Sequence, residues 1–173
     1  KHKIFRAKVS IPEEKVYLFT TTVPSIHDKT VYQNIESKLE ENVPLKASDC
    51  IFSFDYVGHM IEQAEDLVSV TVTQSVYIER YLDLLKKAGV RVVSFDSLPH
   101  AVVKALCKDD SNVRIVAHIK ESSLGTYVAL GNKLLFSSTV SLNTLDIVRQ
   151  GNRTDFVKYQ IGKVISYWQE QTY

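Results

Sequence analysis

The chain has 173 residues, 45% of them hydrophobic, with 21 basic and 20 acidic side chains and a formal net charge of +1. That length supports one sizeable core or two small ones. The charges are mixed along the chain, which argues against nucleic acid because that would need a basic patch or stripe, and no apolar run approaches the roughly 18 residues of a membrane span. Ala7 to Ile11 and Lys15 to Thr21 read as two strands joined by a Pro12-Glu13-Glu14 turn, and Val23-Pro24 is expected to stop the second. Asp28 is placed to cap a helix from Lys29 to Glu41 with Val31, Ile35 and Leu39 on one side. Val43-Pro44-Leu45 ends it, since proline biases the preceding residue away from the helical region. Asp49 to Val57 alternates as a strand, Gly58 to Asp66 is polar and turns the chain, and the strands on either side are expected to pair antiparallel.

The middle of the chain is the most regular. Leu67 to Val72 is rich in β-branched residues and reads as a buried or half-buried strand. From Gln74 to Ala88 the period changes, with Val76, Ile78, Tyr81, Leu82, Leu84, Leu85 and Ala88 on one helical stripe. Lys86 and Lys87 suit the negative end of that helix, and Gly89 closes it. Arg91 to Phe95 is a strand, Asp96 or Ser97 caps the next helix, and Pro99 fits its first turn. Strand, helix and strand predict a parallel pair and an α/β core. After a polar turn from Cys107 to Asn112 come strands Val113 to Ile119, Gly125 to Leu130 and Lys133 to Val140, the last two joined by a Gly131-Asn132 hairpin. Thr154 to Gln171 is helical, with Phe156, Ile161, Val164 and Trp168 among its apolar positions. Lys1 and a Tyr173 that falls inside a helical pattern read as the ends of a fragment.

Residues that carry chemistry form no catalytic pattern. His2, His27, His59, His100 and His118 show no metal-ligand spacing. Glu13-Glu14 and Asp109-Asp110 are adjacent carboxylates that point apart, as solvated turns do. Ser137-Ser138 has no identifiable base, Tyr32 and Tyr127 have no nameable partner, and no nucleophile elbow, P-loop or dinucleotide fingerprint occurs. Cys50 and Cys107 read as two reduced, partly buried thiols, a single disulfide being the alternative. Enzymatic activity is not expected.

Several stretches carry a family resemblance: SIPEEKVYLFTTTVP, the helix ending in ENVPL, the DYV strand, YIERYLDLLKKAGVRVVSFDSLPHAVVKAL and IVAHIKESSLGTYVALGNKLLFSSTVSL. Together they resemble the type IV pilus assembly protein family PilM and, more distantly, the cell-division family FtsA, both of the actin-like ATPase superfamily. The resemblance implies an α/β chain of mixed sheets: an actin-like, ribonuclease H-like subdomain with an inserted SHS2-like (1C) subdomain. Residues 1–21 and 75–112 would be part of the first actin-like subdomain, 22–74 the insert, and 113–173 the start of the second. It implies a cytoplasmic scaffold at the inner membrane, in pilus or divisome-like assembly, that binds the cytoplasmic tail of a membrane protein as an extended peptide. The lining would come from Val23, Pro24, Val43, Pro44, Leu45, Phe52 and Phe54. Self-association is a further expectation.

The sequence also departs from the family. No Asp-x-Gly phosphate loop precedes Lys8, and in the second such loop His118 stands in place of aspartate and Lys120 in place of glycine. Aspartate would organise hydrated magnesium and glycine would let the backbone approach phosphate. His118, Lys120, Ser122 and Ser123 are left as either a degenerate anion-contacting position or a plain strand end and turn. No cofactor is expected for this chain, ATP with magnesium being an expectation for an intact relative only. Two alternatives stay open: an ATPase whose phosphate loops lie partly outside this chain, and an unrelated α/β interaction domain.

Overall fold

The structure is a computed structural model that describes residues 4–25, 29–60, 64–143 and 151–170. The order is β1 (Arg6–Ile11), β2 (Val16–Pro24), α1 (Lys29–Asn42), β3 (Cys50–Met60), β4 (Glu65–Gln74), α2 (Ser75–Lys87), β5 (Arg91–Ser97), α3 (Leu98–Leu106), β6 (Val113–Ile119), β7 (Ser123–Leu130), β8 (Lys133–Ser141) and α4 (Arg153–Glu170). Every expected element is present in the expected order.

Three sheets arise. β2, β4 and β3 form an antiparallel sheet with β4 in the middle, β6, β7 and β8 form an antiparallel meander, and β1 pairs with β5 in parallel. The sequence suggested instead that β4 and β5, joined by α2, would be the parallel pair. β4 has no free side for that: Val16 to Pro24 takes one edge and Cys50 to Met60 the other. β5 pairs with β1 instead, from Arg6↔Arg91 to Ile11↔Ser97.

Two boundaries also differ. β2 runs past the expected Thr21 and ends at Pro24, with Val23 and Pro24 opposite Asp66 and Glu65. Proline is tolerated there because β2 is an edge strand and needs no donor on its open side. β3 continues past Gly58 to Met60, absorbing an irregularity between Tyr56 and Gly58, so the turn back is shorter than the composition suggested. Asp28, the expected cap of α1, lies outside the described residues. The boundary expected between residues 21 and 22 falls within β2.

β4 explains the layering. Val68, Val70 and Val72 are fully buried against α1, whose Val31, Ile35 and Leu39 pack on them with Val23 and Val43. Lys38 Nζ ties α1 to β2 by donating to Thr21 Oγ1 at 3.1 Å and to the Thr22 carbonyl at 2.8 Å. On the opposite face, the Ser69 hydroxyl donates to the Leu134 carbonyl of β8, and Thr73 Oγ1 donates to the Lys15 carbonyl at 2.8 Å. A second core gathers Val103, Tyr127, Ala129 and Leu134 with Leu18 and Val102, and a third joins Leu124 and Leu142 to Phe156 of α4.

α3 starts as expected: Ser97 Oγ accepts from the His100 backbone N–H at 3.3 Å, and Pro99 lies in the first turn. The buried His100 ring then reaches β3, with Nε2 3.0 Å from Asp55 Oδ2 and Nδ1 3.7 Å from Asp96 Oδ1. Nε2 meets no hydrogen-bond geometry, so the ring and the carboxylate are in close approach only. Proximity to the His100 ring holds Asp55 below the usual carboxylate range, against the opposing effect of burial. Gly89 and Gly131 take positive φ, 73° and 58°, closing α2 and the β7–β8 hairpin. Cys50 and Cys107 are both free and half-buried. Among the described residues no helix is long and apolar enough to cross a membrane, which bears on helices only.

Leu39 is 1% exposed in the α1 core, so Leu39→Ala should lower unfolding free energy by about 2–5 kcal/mol. Urea denaturation should show this as a lower midpoint at an unchanged slope.

Candidate functional site

The β6–β7 turn holds the residues that the sequence marked as an anion position. His118 and Ile119 end β6, Ser123 opens β7, and Lys120 to Ser122 form the turn between them. Its carbonyls are engaged, together with the Lys120 N–H. Lys120 N donates to the Ser123 carbonyl at 2.8 Å, and Leu142 N donates to the Ser122 carbonyl at 2.8 Å. Arg153 Nη2 donates to the Lys120 carbonyl at 2.8 Å, a cation held by the turn rather than offered to a ligand. The start of α4 is likewise occupied. Asn152 Oδ1 accepts from Asp155 N at 3.0 Å while its amide donates to Asp155 Oδ2 at 2.6 Å. A carboxylate therefore already sits where the helix dipole would favour an anion.

His118 faces inward to Tyr127. Their ring centroids are 6.3 Å apart and His118 Nδ1 lies 3.4 Å from the phenol oxygen. Tyr127 is fully buried. Burial first, then the nearby Glu13 carboxylate, pushes its phenol up to about 12. The Thr139 hydroxyl of β8 donates to the Glu13 carboxylate, so the turn after β1 is pinned to the meander sheet. Gly125, opposite His118 in the ladder, leaves the space that the phenol fills, since a Cβ there would overlap the phenol oxygen. Glu13 and Glu14 do point apart, Glu13 being half-buried and Glu14 exposed. Sequence reasoning found no partner for Tyr127 because the residues that meet near it are separated by 126 positions.

The suggested partner-binding residues divide into two groups. Val23 and Val43 are core residues, 0% and 4% exposed. Pro24 and Leu45 are half-buried and Pro44 is exposed. Val23 and Pro24 lie on β2, separated from β3 by β4, and Phe52 and Phe54 of β3 pack against the same core cluster as Val23 and Val43. Phe52 and Phe54 also build an aromatic row with Tyr56 of the same strand and with Tyr32, for which the sequence named no partner. The Tyr32 ring of α1 lies 5.8 Å from Phe52 and 5.3 Å from Phe54, and Phe54 meets Tyr56 at 5.4 Å. Tyr32 is 58% exposed and Tyr56 41%. The row runs along β3, which has β4 on one side and no strand on the other among the described residues.

Other chemistry-bearing groups are structural. Ser25 Oγ lies 3.2 Å and Asp66 Oδ1 2.6 Å from the same nitrogen of His59, Nδ1. A proton relay needs the two partners on different ring nitrogens. Among the described residues no three His, Cys, Asp or Glu side chains converge as metal ligands.

No family model matches the chain and no curated protein matches it in sequence. Solved structures do. A chain of the PilM–PilN type IV pilus biogenesis complex aligns with a TM-score of 0.65 and 18% identity, over 94% of this chain and 52% of its own length. This chain has that fold. The cytoplasmic domain of EpsL, an inner-membrane component of the type II secretion system of Vibrio cholerae, aligns at 0.54 and 12% identity, over 86% of this chain and 56% of its own. The chain thus spans about half the length of each. At such identities the likeness is one of fold, and the mixed α/β architecture expected from the PilM resemblance is the one found.

The Tyr127 phenol titrates higher in the folded chain than the value near 10 of an unfolded tyrosine. Its neutral form is therefore a source of stability that is complete below pH about 10 and is lost as pH rises toward 12. Urea midpoints across this window should fall more steeply for the wild type than for Tyr127→Phe. Parallel falls would remove Tyr127 from the cause.

Proposed function

We propose that this chain is the partner-holding part of a PilM-like cytoplasmic scaffold, peripheral to the inner membrane, that serves pilus or secretion assembly without hydrolysing ATP. The observation that carries the proposal is the open edge of β3 with its aromatic row, on a fold shared with a chain of the PilM–PilN complex. An unpaired edge offers backbone donors and acceptors to an extended segment, and alternate side chains of that segment would meet Tyr32, Phe54 and Tyr56. The partner would be the cytoplasmic tail of an inner-membrane assembly protein. The engaged backbone of the β6–β7 turn and the Asp155-filled start of α4 support the absence of nucleotide. His118, Lys120, Ser122 and Ser123 then serve as a strand end and turn.

Calorimetric titration tests both halves. Tail peptides of inner-membrane pilus and secretion assembly proteins should bind, and Tyr32→Ala or Tyr56→Ala should weaken the tightest of them by about tenfold or more, the cost of losing an aromatic hot spot. Tyr32 is largely exposed, so its removal should leave the fold intact. ATP with magnesium should give no binding heat. Tail binding unaffected by both substitutions would move the site away from β3, and tight ATP binding would bring the ATPase reading forward.

A further inference from the structure

Phe156 seats α4 on Leu124 and Leu142. Further along, the helix and the meander sheet enclose a cavity of about 210 Å3. Gln160, Lys163, Val164 and Tyr167 line it from α4, at spacings of three, four and seven residues that put them on one helix face. Thr126 and Ser138 line it from the sheet. They are register partners on β7 and β8, and so share a face.

The polar groups of this cavity are uncommitted. Thr126 is only 2% exposed, yet its hydroxyl makes no hydrogen bond to another residue among those described, and neither do the side chains of Ser138 and Gln160. The Thr126 hydroxyl is thus free to bond to what enters the cavity that this residue lines. Lys163 Nζ lies over the Tyr159 ring, 5.4 Å from its centroid, with no carboxylate at ion-pair distance among the described residues. An ammonium, an amide and two hydroxyls together offer mainly donors. The remaining walls are apolar: Val140, Val164 and the Phe136–Tyr167 ring pair, 5.1 Å apart. The volume equals that of about seven water molecules at ~30 Å3 each, below the range of drug-sized pockets. Lys163 and Tyr167 are exposed at the rim and leave a way in.

We propose that this cavity binds a small organic monocarboxylate, its carboxylate held by Lys163, Gln160 and the two hydroxyls and its short apolar body set between Phe136, Tyr167 and Val164. The inference is independent of partner docking at β3.

The test is an amide-resolved NMR titration of the whole chain with benzoate as probe and benzamide as its uncharged counterpart. Benzoate should saturably shift amides of β7, β8 and α4. Benzamide should bind about tenfold more weakly or less, as expected from losing a charge-assisted contact. Lys163→Gln changes an exposed side chain and should weaken benzoate to a similar degree. Ser138→Ala, which keeps the apolar walls, should weaken it as well. The proposal is overturned by the absence of saturable shifts, by shifts centred elsewhere, or by equal affinity for benzoate and benzamide in wild type and variants.

Discussion

Burial of β4 on both faces is the constraint on which the rest of the architecture depends. Val68, Val70 and Val72 seal the α1 core, while Ser69 and Thr73 on the other face are buried but polar. Such a strand needs a layer on each side and a hydrogen-bonded neighbour on each edge. α1, β2 and β3 supply three of these. The fourth is the meander sheet, which accepts the Ser69 hydroxyl through the Leu134 carbonyl. Short hydroxyl side chains suit that second face because they can reach a passing backbone without a cavity, whereas a third row of valines would leave the carbonyl unsatisfied. With β4 committed in this way, β5 had to find another partner, and β1 was the strand available.

A similar economy governs the β6–β7 turn. Where the family resemblance implies a loop shaped around phosphate, this chain has side chains answering one another. His118 meets Tyr127, Glu13 meets Thr139, Arg153 holds the turn carbonyls, and Asp155 occupies the start of α4. The Glu13–Thr139 contact joins the first turn of the chain to its last sheet, and because it is part-buried, opening it leaves a partly desolvated carboxylate behind. The aromatic row on β3 has the opposite character: its rings are half-exposed, and the strand that carries them is paired on one side only.

The candidate site was legible in part. Phe52 and Phe54 were visible as alternating aromatics on a strand, and they do face one way. Tyr56 continues that alternation, whereas the place of Tyr32 was not legible, because whether a helical tyrosine leans over a strand depends on where α1 docks. The family resemblance implied Val23 and Val43 for a partner lining beside their prolines, yet both are buried in the α1 core. Proline marks where a strand or helix meets a boundary, and it carries no information about which side of that boundary is solvent.

By itself the sequence determined the elements, their order and several of their ends: β-branched runs for strands, a 3.6-residue stripe for α2, Ser97 with Pro99 for the start of α3, and Gly89 and Gly131 where positive φ was required. These are local matters, decided by sterics and hydrogen bonds within a few residues. Only the tertiary structure decided that β5 joins β1 rather than β4, that His100 reaches Asp55, and that Glu13 reaches Thr139. Each of those depends on which surfaces remain unburied after the local elements form, a competition among distant segments that no window of the chain contains.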